Sequence, residues 1–243
     1  MNGTTYARRL LLTLLACCGL CFAENVSLTG RVSFVSDGKD GKARDADNVV
    51  LWLSPVAGAI PLKPEPSGQR PRLVQKNKSF DPHVLIVPVG SVVEFPNRDP
   101  FFHNVFSLFE GKRFDLGLYE AGSTRDVRFD KPGISYIFCN IHAQMSAVVI
   151  ALDTPYYTVS NQQGEIVLPN VPPGRYLLHI WYETAPAEQL KALTREITVS
   201  EDASTLGVLR LTQAAVPTAH KNKYGHDYEP PAPLENPGYP QQP

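Results

Sequence analysis

The chain is short of sulfur. It has four cysteines and two methionines, and three of the cysteines, Cys17, Cys18 and Cys21, fall in one N-terminal apolar run. Past that run only Cys139 and Met145 remain, so intramolecular disulfides are excluded there. A surplus of positive charge is also missing. With 23 Lys and Arg against 24 Asp and Glu, the formal net charge is −1. A nucleic-acid binder held by bulk charge would be basic, so that class is excluded. Beyond the N-terminus no apolar run approaches the roughly 20 residues of a membrane-spanning helix. Helical patterning is scarce as well, and only Ala187 to Arg195 offers a turn or two.

What is present describes a folded, exported protein. Apolar residues make up 43% of the chain and charged residues 19%, which is a globular balance rather than a disordered one. The length of 243 residues allows one large domain or two small ones. Arg8 and Arg9 precede the apolar stretch Leu10 to Leu20, and small Ala23 precedes polar Glu24. That order predicts a secretory signal over 1–23 and a periplasmic or secreted mature chain without a transmembrane segment. A rival address is Leu14-Leu15-Ala16-Cys17, a loose lipobox match that would lipidate Cys17, although Leu15 fits it poorly. In either case Cys139 would be a free thiol in an oxidising compartment, so it needs a protected role.

The body reads as short strands. Gly30–Val35, Val49–Leu53, Val84–Val87, Ser91–Phe95, Arg125–Phe129, Ser135–Cys139, Ala147–Ile150, Glu165–Leu168, Tyr176–Trp181 and Arg195–Val199 have strand composition. Most are rich in β-branched or aromatic residues and end near Gly, Pro, Asn or Asp. The fold class is therefore all-β, of sandwich type. Residues 55–71 hold five prolines and read as an exposed loop. Residues 214–243 hold seven and read as a Pro-rich disordered tail.

The chemistry gathers in Cys139-Asn140-Ile141-His142-Ala143-Gln144-Met145, a C-x2-H-x2-M window between two strands. His103 stands upstream in Phe101-Phe102-His103-Asn104-Val105-Phe106. One thiolate, two imidazoles and a thioether suit copper, because soft sulfur favours Cu(I) and imidazole accommodates Cu(II). Taken singly, each residue has a plainer reading. A buried Cys is usually an inert small hydrophobe, a lone Met fills a core gap, and a lone His is a hydrogen-bonded structural residue. Their joint occurrence, in a chain otherwise without Cys and Met, favours the metal. Zinc is a narrower rival that has no need of Met145. A Cys139 nucleophile lacks a helix start or a Gly-rich oxyanion loop. Of the other histidines, His83 reads as surface, His179 as structural, and His220 and His226 as solvated tail residues.

These motifs resemble the copper loop of the cupredoxins, the small blue copper proteins. Gly133 to His142 is similar to the plastocyanin-type strand and loop, and the C-x2-H-x2-M spacing to amicyanin. His103-Asn104-Val105 resembles the upstream ligand site, where the residue after the histidine ties the two ligand loops together. Arg113-Phe114-Asp115-Leu116-Gly117-Leu118-Tyr119 is similar to cupredoxin proteins labelled methylamine-utilisation-like. The resemblance covers about 72–152 and implies a Greek-key cupredoxin sandwich with one type 1 copper ion. His103, Cys139 and His142 would be the strong ligands and Met145 the weak axial one. Ile141 departs from the proline often found at that place in plastocyanin-like loops.

A second resemblance lies in the flanks. Tyr156 to Leu168 reads as a hairpin with a Gly turn, and Val171-Pro172-Pro173-Gly174-Arg175-Tyr176 feeds the next strand. This V-P-P-G-x-Y pattern is similar to the carboxypeptidase-regulatory-like, transthyretin-like sandwich, whose opening strands would lie before the copper segment. The expected organisation is a signal over 1–23, the first part of that sandwich (or extra cupredoxin strands) over 24–68, a cupredoxin over 69–152, the second part over 153–213, and the tail over 214–243. The function implied is a one-electron carrier, not an enzyme. Its partners would be periplasmic redox proteins such as a c-type cytochrome, a dehydrogenase or an oxidase. The alternatives are copper trafficking or resistance, and a copper-containing interaction module.

Overall fold

The structure, a computed structural model, describes residues 24–35, 46–58, 70–108, 110–212 and 219–228. The signal expected over 1–23, with Cys17, lies outside the described residues, as do 59–69 of the proline-rich loop and 214–218 and 229–243 of the tail. The chain opens with β1 (Val26–Phe34) and β2 (Val50–Pro55). Its middle runs β3 (Val74–Lys76), β4 (Ser79–Asp81), β5 (Val84–Pro88), β6 (Val92–Pro96), β7 (His103–Ser107), β8 (Phe114–Tyr119), β9 (Thr124–Arg128), β10 (Gly133–Cys139) and β11 (Ser146–Leu152). It continues through β12 (Tyr157–Val159), β13 (Glu165–Val171), β14 (Gly174–Trp181), the short helix α1 (Ala187–Leu193), β15 (Arg195–Val199) and β16 (Thr205–Leu211). The fold is all-β apart from that helix.

The two ends of the chain pair with each other. β1 lies between β13 and β16, and β2 lies between β12 and β14, with β15 at the far edge. The middle forms a five-stranded sheet, β5-β11-β10-β7-β8, faced by the pairs β6-β9 and β3-β4. We refer to these as the outer and central sheet sets. The outer set has its own core, built from Leu28, Leu51, Ile166, Leu178 and their neighbours. Its turn between β12 and β13, which pair with β2 and β1 in different sheets rather than with each other as the expected hairpin would, needs glycine at Gly164. There φ is +74°, and a Cβ would come within 2.3 Å of the Val32 carbonyl oxygen. The V-P-P-G-x-Y stretch is closed by the Tyr176 hydroxyl, which donates to the Pro172 carbonyl at 2.9 Å.

Side-chain alternation in β11 joins the sets. Ala147, Val149 and Ala151 face the central core with Ile137 and Phe95. Val148, Ile150 and Leu152 point the other way and pack with Val50 and Trp181 of the outer set. Buried on both faces, this strand carries almost no polar side chain, as expected of a strand between two layers. His83 Nε2 and Glu183, 2.6 Å apart, bridge the same boundary at its edge.

Candidate metal centre

Strand geometry brings the first two residues together. β7 and β10 run antiparallel with Cys139 opposite Val105, so His103, two residues along, is the diagonal neighbour of Cys139 on one face. In β10 Ser135, Ile137 and Cys139 are buried on the inward face, which puts the thiol at the core end of the strand. Both His103 and Cys139 have no solvent exposure. His103 Nδ1 stands 3.5 Å from Cys139 Sγ.

The loop after Cys139 supplies the third. Its ends are tied by Cys139 N–H to the Met145 carbonyl at 3.1 Å, and by Met145 N–H to the His142 carbonyl at 3.0 Å. Asn140 N–H donates to the Asn104 carbonyl at 2.9 Å, which fixes the loop to β7. The His142 Nδ1 atom then lies 3.5 Å from Cys139 Sγ. One ligand atom each from His103, Cys139 and His142 lies within 4.8 Å of the others, close enough for a single ion to touch all three. Met145 closes the loop and is buried in the same core cluster as Cys139. The expected link between ligand loops is present, but it runs through the Asn104 backbone. The Asn104 side chain instead donates to Asp115 Oδ1 at 2.7 Å.

A residue the sequence reading passed over orients the site. The Asp99 carboxylate, 5% exposed, accepts from His103 Nε2–H at 2.9 Å and from the backbone N–H groups of Asn77 (2.6 Å) and Lys78 (2.9 Å). That bond fixes the tautomer of His103 and turns its Nδ1 lone pair toward Cys139. No motif announces Asp99, because its bond to His103 four residues on is fixed by two donors, Asn77 and Lys78, that lie in another turn. Phe101 completes the enclosure, with ring centroids 5.3 Å from His103 and 5.6 Å from His142.

The electrostatics differ among the three groups. Burial penalises a Cys139 thiolate, but His103 and backbone groups of Asn104, Ile141 and His142 around the sulfur leave its pKa below the ordinary thiol value. Burial opposes charge on His103 too, yet Cys139 and Asp99 beside it raise its pKa. Burial, followed by the nearby charges of His103 and Lys78, lowers the pKa of His142, so its lone pair is free near neutral pH. The donor set of one sulfur and two nitrogens, with the nearest carboxylate engaged elsewhere, fits copper better than a hard oxygen-loving cation.

The remaining histidines are placed differently. His83 pairs with Glu183, and His179 stacks on Trp52 with centroids 4.9 Å apart. His220, expected to be a solvated tail residue, packs on Phe138 at 4.5 Å instead. Residues 219–228 of the expected tail lie along the loop that carries Cys139 and His142. The proline-rich composition of 214–243 hid this, since the contacts are made to residues some 80 positions away.

No family model and no curated protein matches the chain. Among solved structures it is similar to a purple cupredoxin from Nitrosopumilus maritimus, 22% identical with a TM-score of 0.32, over 34% of this chain and 99% of that one. It is also similar to a copper-containing nitrite reductase from Thermus scotoductus SA-01, 29% identical with a TM-score of 0.33, over 41% of this chain and 25% of that one. An amicyanin variant in the oxidised state is 19% identical with a TM-score of 0.33, over 34% of this chain and 82% of that one. Each of these likenesses covers less than half of the chain.

Proposed function

We propose that the central sheet set, within 69–152, is a cupredoxin-type copper domain and that the protein is an exported carrier of single electrons rather than an enzyme. One copper ion would be held by His103, Cys139 and His142, with Met145 as a weak fourth donor. The observation that carries this reading is the convergence of His103, Cys139 and His142 in a buried pocket tied down by the surrounding strands. Bound there, copper supplies a one-electron Cu(I)/Cu(II) couple.

The chain's own residues do the rest. Asp99 holds His103 in one tautomer. Asn104 and the closed loop hold Cys139 and His142 in place, which limits reorganisation between redox states. Phe101 and the core around Ile137 keep water away from the sulfur. His142 is only half-buried, and Phe102, Leu118 and Ile141 are exposed apolar residues on the segments that carry the site, a surface suited to transient docking. The partner would be a periplasmic c-type cytochrome, dehydrogenase or oxidase. We further read 24–68 with 153–213 as one transthyretin-like sandwich interrupted by the copper domain, a reading supported by the pairing of β1 and β2 with β12, β13, β14 and β16.

Copper trafficking or resistance is the second reading, favoured only by the loop's position at the edge of the fold. Stopped-flow oxidation and reduction against a c-type cytochrome separates the two. A carrier exchanges electrons rapidly and keeps its copper through repeated cycles. Transfer of Cu(I) to a competing acceptor within those cycles would favour trafficking.

A further inference from the structure

The segment 219–228 meets the metal loop at a row of acceptors that the sheets do not use. His220 N–H donates to the Ala143 carbonyl at 2.9 Å, and its Nε2 lies 3.2 Å from the His142 carbonyl. The Tyr228 hydroxyl donates to the Cys139 carbonyl at 2.7 Å. Lys223 N–H donates to Asn140 Oδ1 at 2.9 Å. Lys223 Nζ reaches Asp115 Oδ2 at 2.8 Å, and Asp115 in turn holds the Asn104 side chain. The His220 ring lies between Phe138 and Tyr228, with centroids 4.5 and 5.4 Å away.

The segment also has a shape of its own. Asn222 accepts at its side chain from Tyr224 N–H and His226 N–H, and Gly225 N–H donates to the Asn222 carbonyl at 2.9 Å. Lys221 and Asp227 pair across the turn at 2.8 Å. A small preformed turn therefore presents His220, Lys223 and Tyr228 together. Four of its contacts fall on Cys139, Asn140, His142 and Ala143, two of them on the backbone carbonyls of residues whose side chains converge in the site. Without the turn the Cys139 and Ala143 carbonyls and Asn140 Oδ1 would lose these donors, while the His142 carbonyl would keep Met145 N–H, and the loop would be held by its own backbone bonds and Asn104.

We propose that residues 219–228 are a strap that locks the loop 139–145 in its metal-ready shape and so slows exchange of the bound metal. The inference rests on the copper reading of that site and adds its regulation. The strap binds one shape of the loop, and that shape is the one in which His103, Cys139 and His142 meet. By linkage, docking of the strap and retention of the ion strengthen each other to the same degree. Displacement of the strap is then the step that opens the loop for metal entry or loss.

The test compares the full chain with a double variant, His220→Ala with Tyr228→Phe, and with Val208→Ala as a control. Val208 is 56% exposed on β16 and belongs to neither the strap nor the loop. None of these residues belongs to the β-sheet cores, so the variants keep their fold. Two readouts are used: amide hydrogen exchange over 140–145 in the metal-free protein, and the rate at which a Cu(I) chelator strips the copper-loaded protein. The double variant should exchange its loop amides and lose copper about tenfold faster, the equivalent of roughly 1.4 kcal/mol in lost hydrogen bonding, while the control matches the unmodified chain. Unchanged loop exchange overturns the strap. Faster exchange with unchanged copper loss overturns its coupling to the metal. An unmodified chain that takes up no copper overturns the copper reading itself, a failure visible before any variant is compared.

Discussion

The two sheet sets bury polar side chains for different ends. Among the described residues the outer set buries Thr154 and Ser160. Each ties two stretches of chain together, Thr154 Oγ1 at the Leu53 carbonyl and Ser160 Oγ at the Ala46 carbonyl, 2.7 and 2.5 Å away. The central set buries Gln75, Asn97, Asp99, His103, Asn104, Ser107 and Ser135. Asn97 organises the turn before His103, donating to the Phe101 carbonyl at 2.8 Å and accepting from Asp99 N–H at 3.0 Å. Gln75 bonds the Tyr119 hydroxyl. Burying such groups is costly unless each is bonded. One β-layer thus spends its buried polar side chains on tying its own strands together, while in the other Asn97 and Asp99 are spent on the turn and the ring orientation of His103.

That contrast can be broken from either side. Leu51→Ala, in the outer core, should cost about 2–5 kcal/mol of stability by opening a cavity, while the folded protein keeps its metal spectrum. Denaturant unfolding alongside absorption checks both halves, and a changed spectrum in the folded variant would mean the sets are not independent in this sense. Asp99→Asn should cost less stability, about 1–3 kcal/mol for the weakened bonds to His103, Asn77 and Lys78. It should also weaken metal affinity about 10–100-fold and raise the reduction potential, since a negative charge beside the site is lost. Competitive titration and voltammetry read these effects.

Two smaller changes sharpen the comparison. Met145→Gln should retain copper and lower the potential, because a harder donor favours Cu(II). An unchanged or higher potential would remove Met145 from the donor set. At the boundary of the sets, the hydrogen bond that His83 donates to Glu183, and then the charge of Glu183, raise the His83 pKa against the opposing effect of burial. A raised folded-state pKa adds stability that is fully present below the unfolded value of about 6.5 and is lost as pH rises through the folded value. Thermal melts should therefore decline slightly above neutral pH, and Glu183→Gln should flatten that slope.

Much of this was legible in the sequence for a physical reason. Strands such as β10, β13 and β14 carry their own alternation and turn residues, so local pattern suffices. The C-x2-H-x2-M window is equally local, and the upstream His103 stood out by its surroundings. β7 was harder to see as a strand because all five of its residues are buried, His103, Asn104 and Ser107 among them, and no alternation survives. β16 was missed because Gly207, at φ +70°, interrupts its pattern. Asp99 and the 219–228 segment were invisible for another reason. Their roles depend on bonds to distant residues, Asp99 to Asn77 and Lys78 in another turn and the segment to Cys139 and His142, and nothing in the neighbouring residues records them.

The most direct test of the central claim is the absorption and EPR spectrum of the copper-loaded full chain, with Cys139→Ser beside it. The account predicts an intense visible charge-transfer band from copper–thiolate covalency, an EPR signal from one Cu(II) per chain, and loss of the band in the variant. A colourless loaded protein, or a variant that keeps the band, would contradict it.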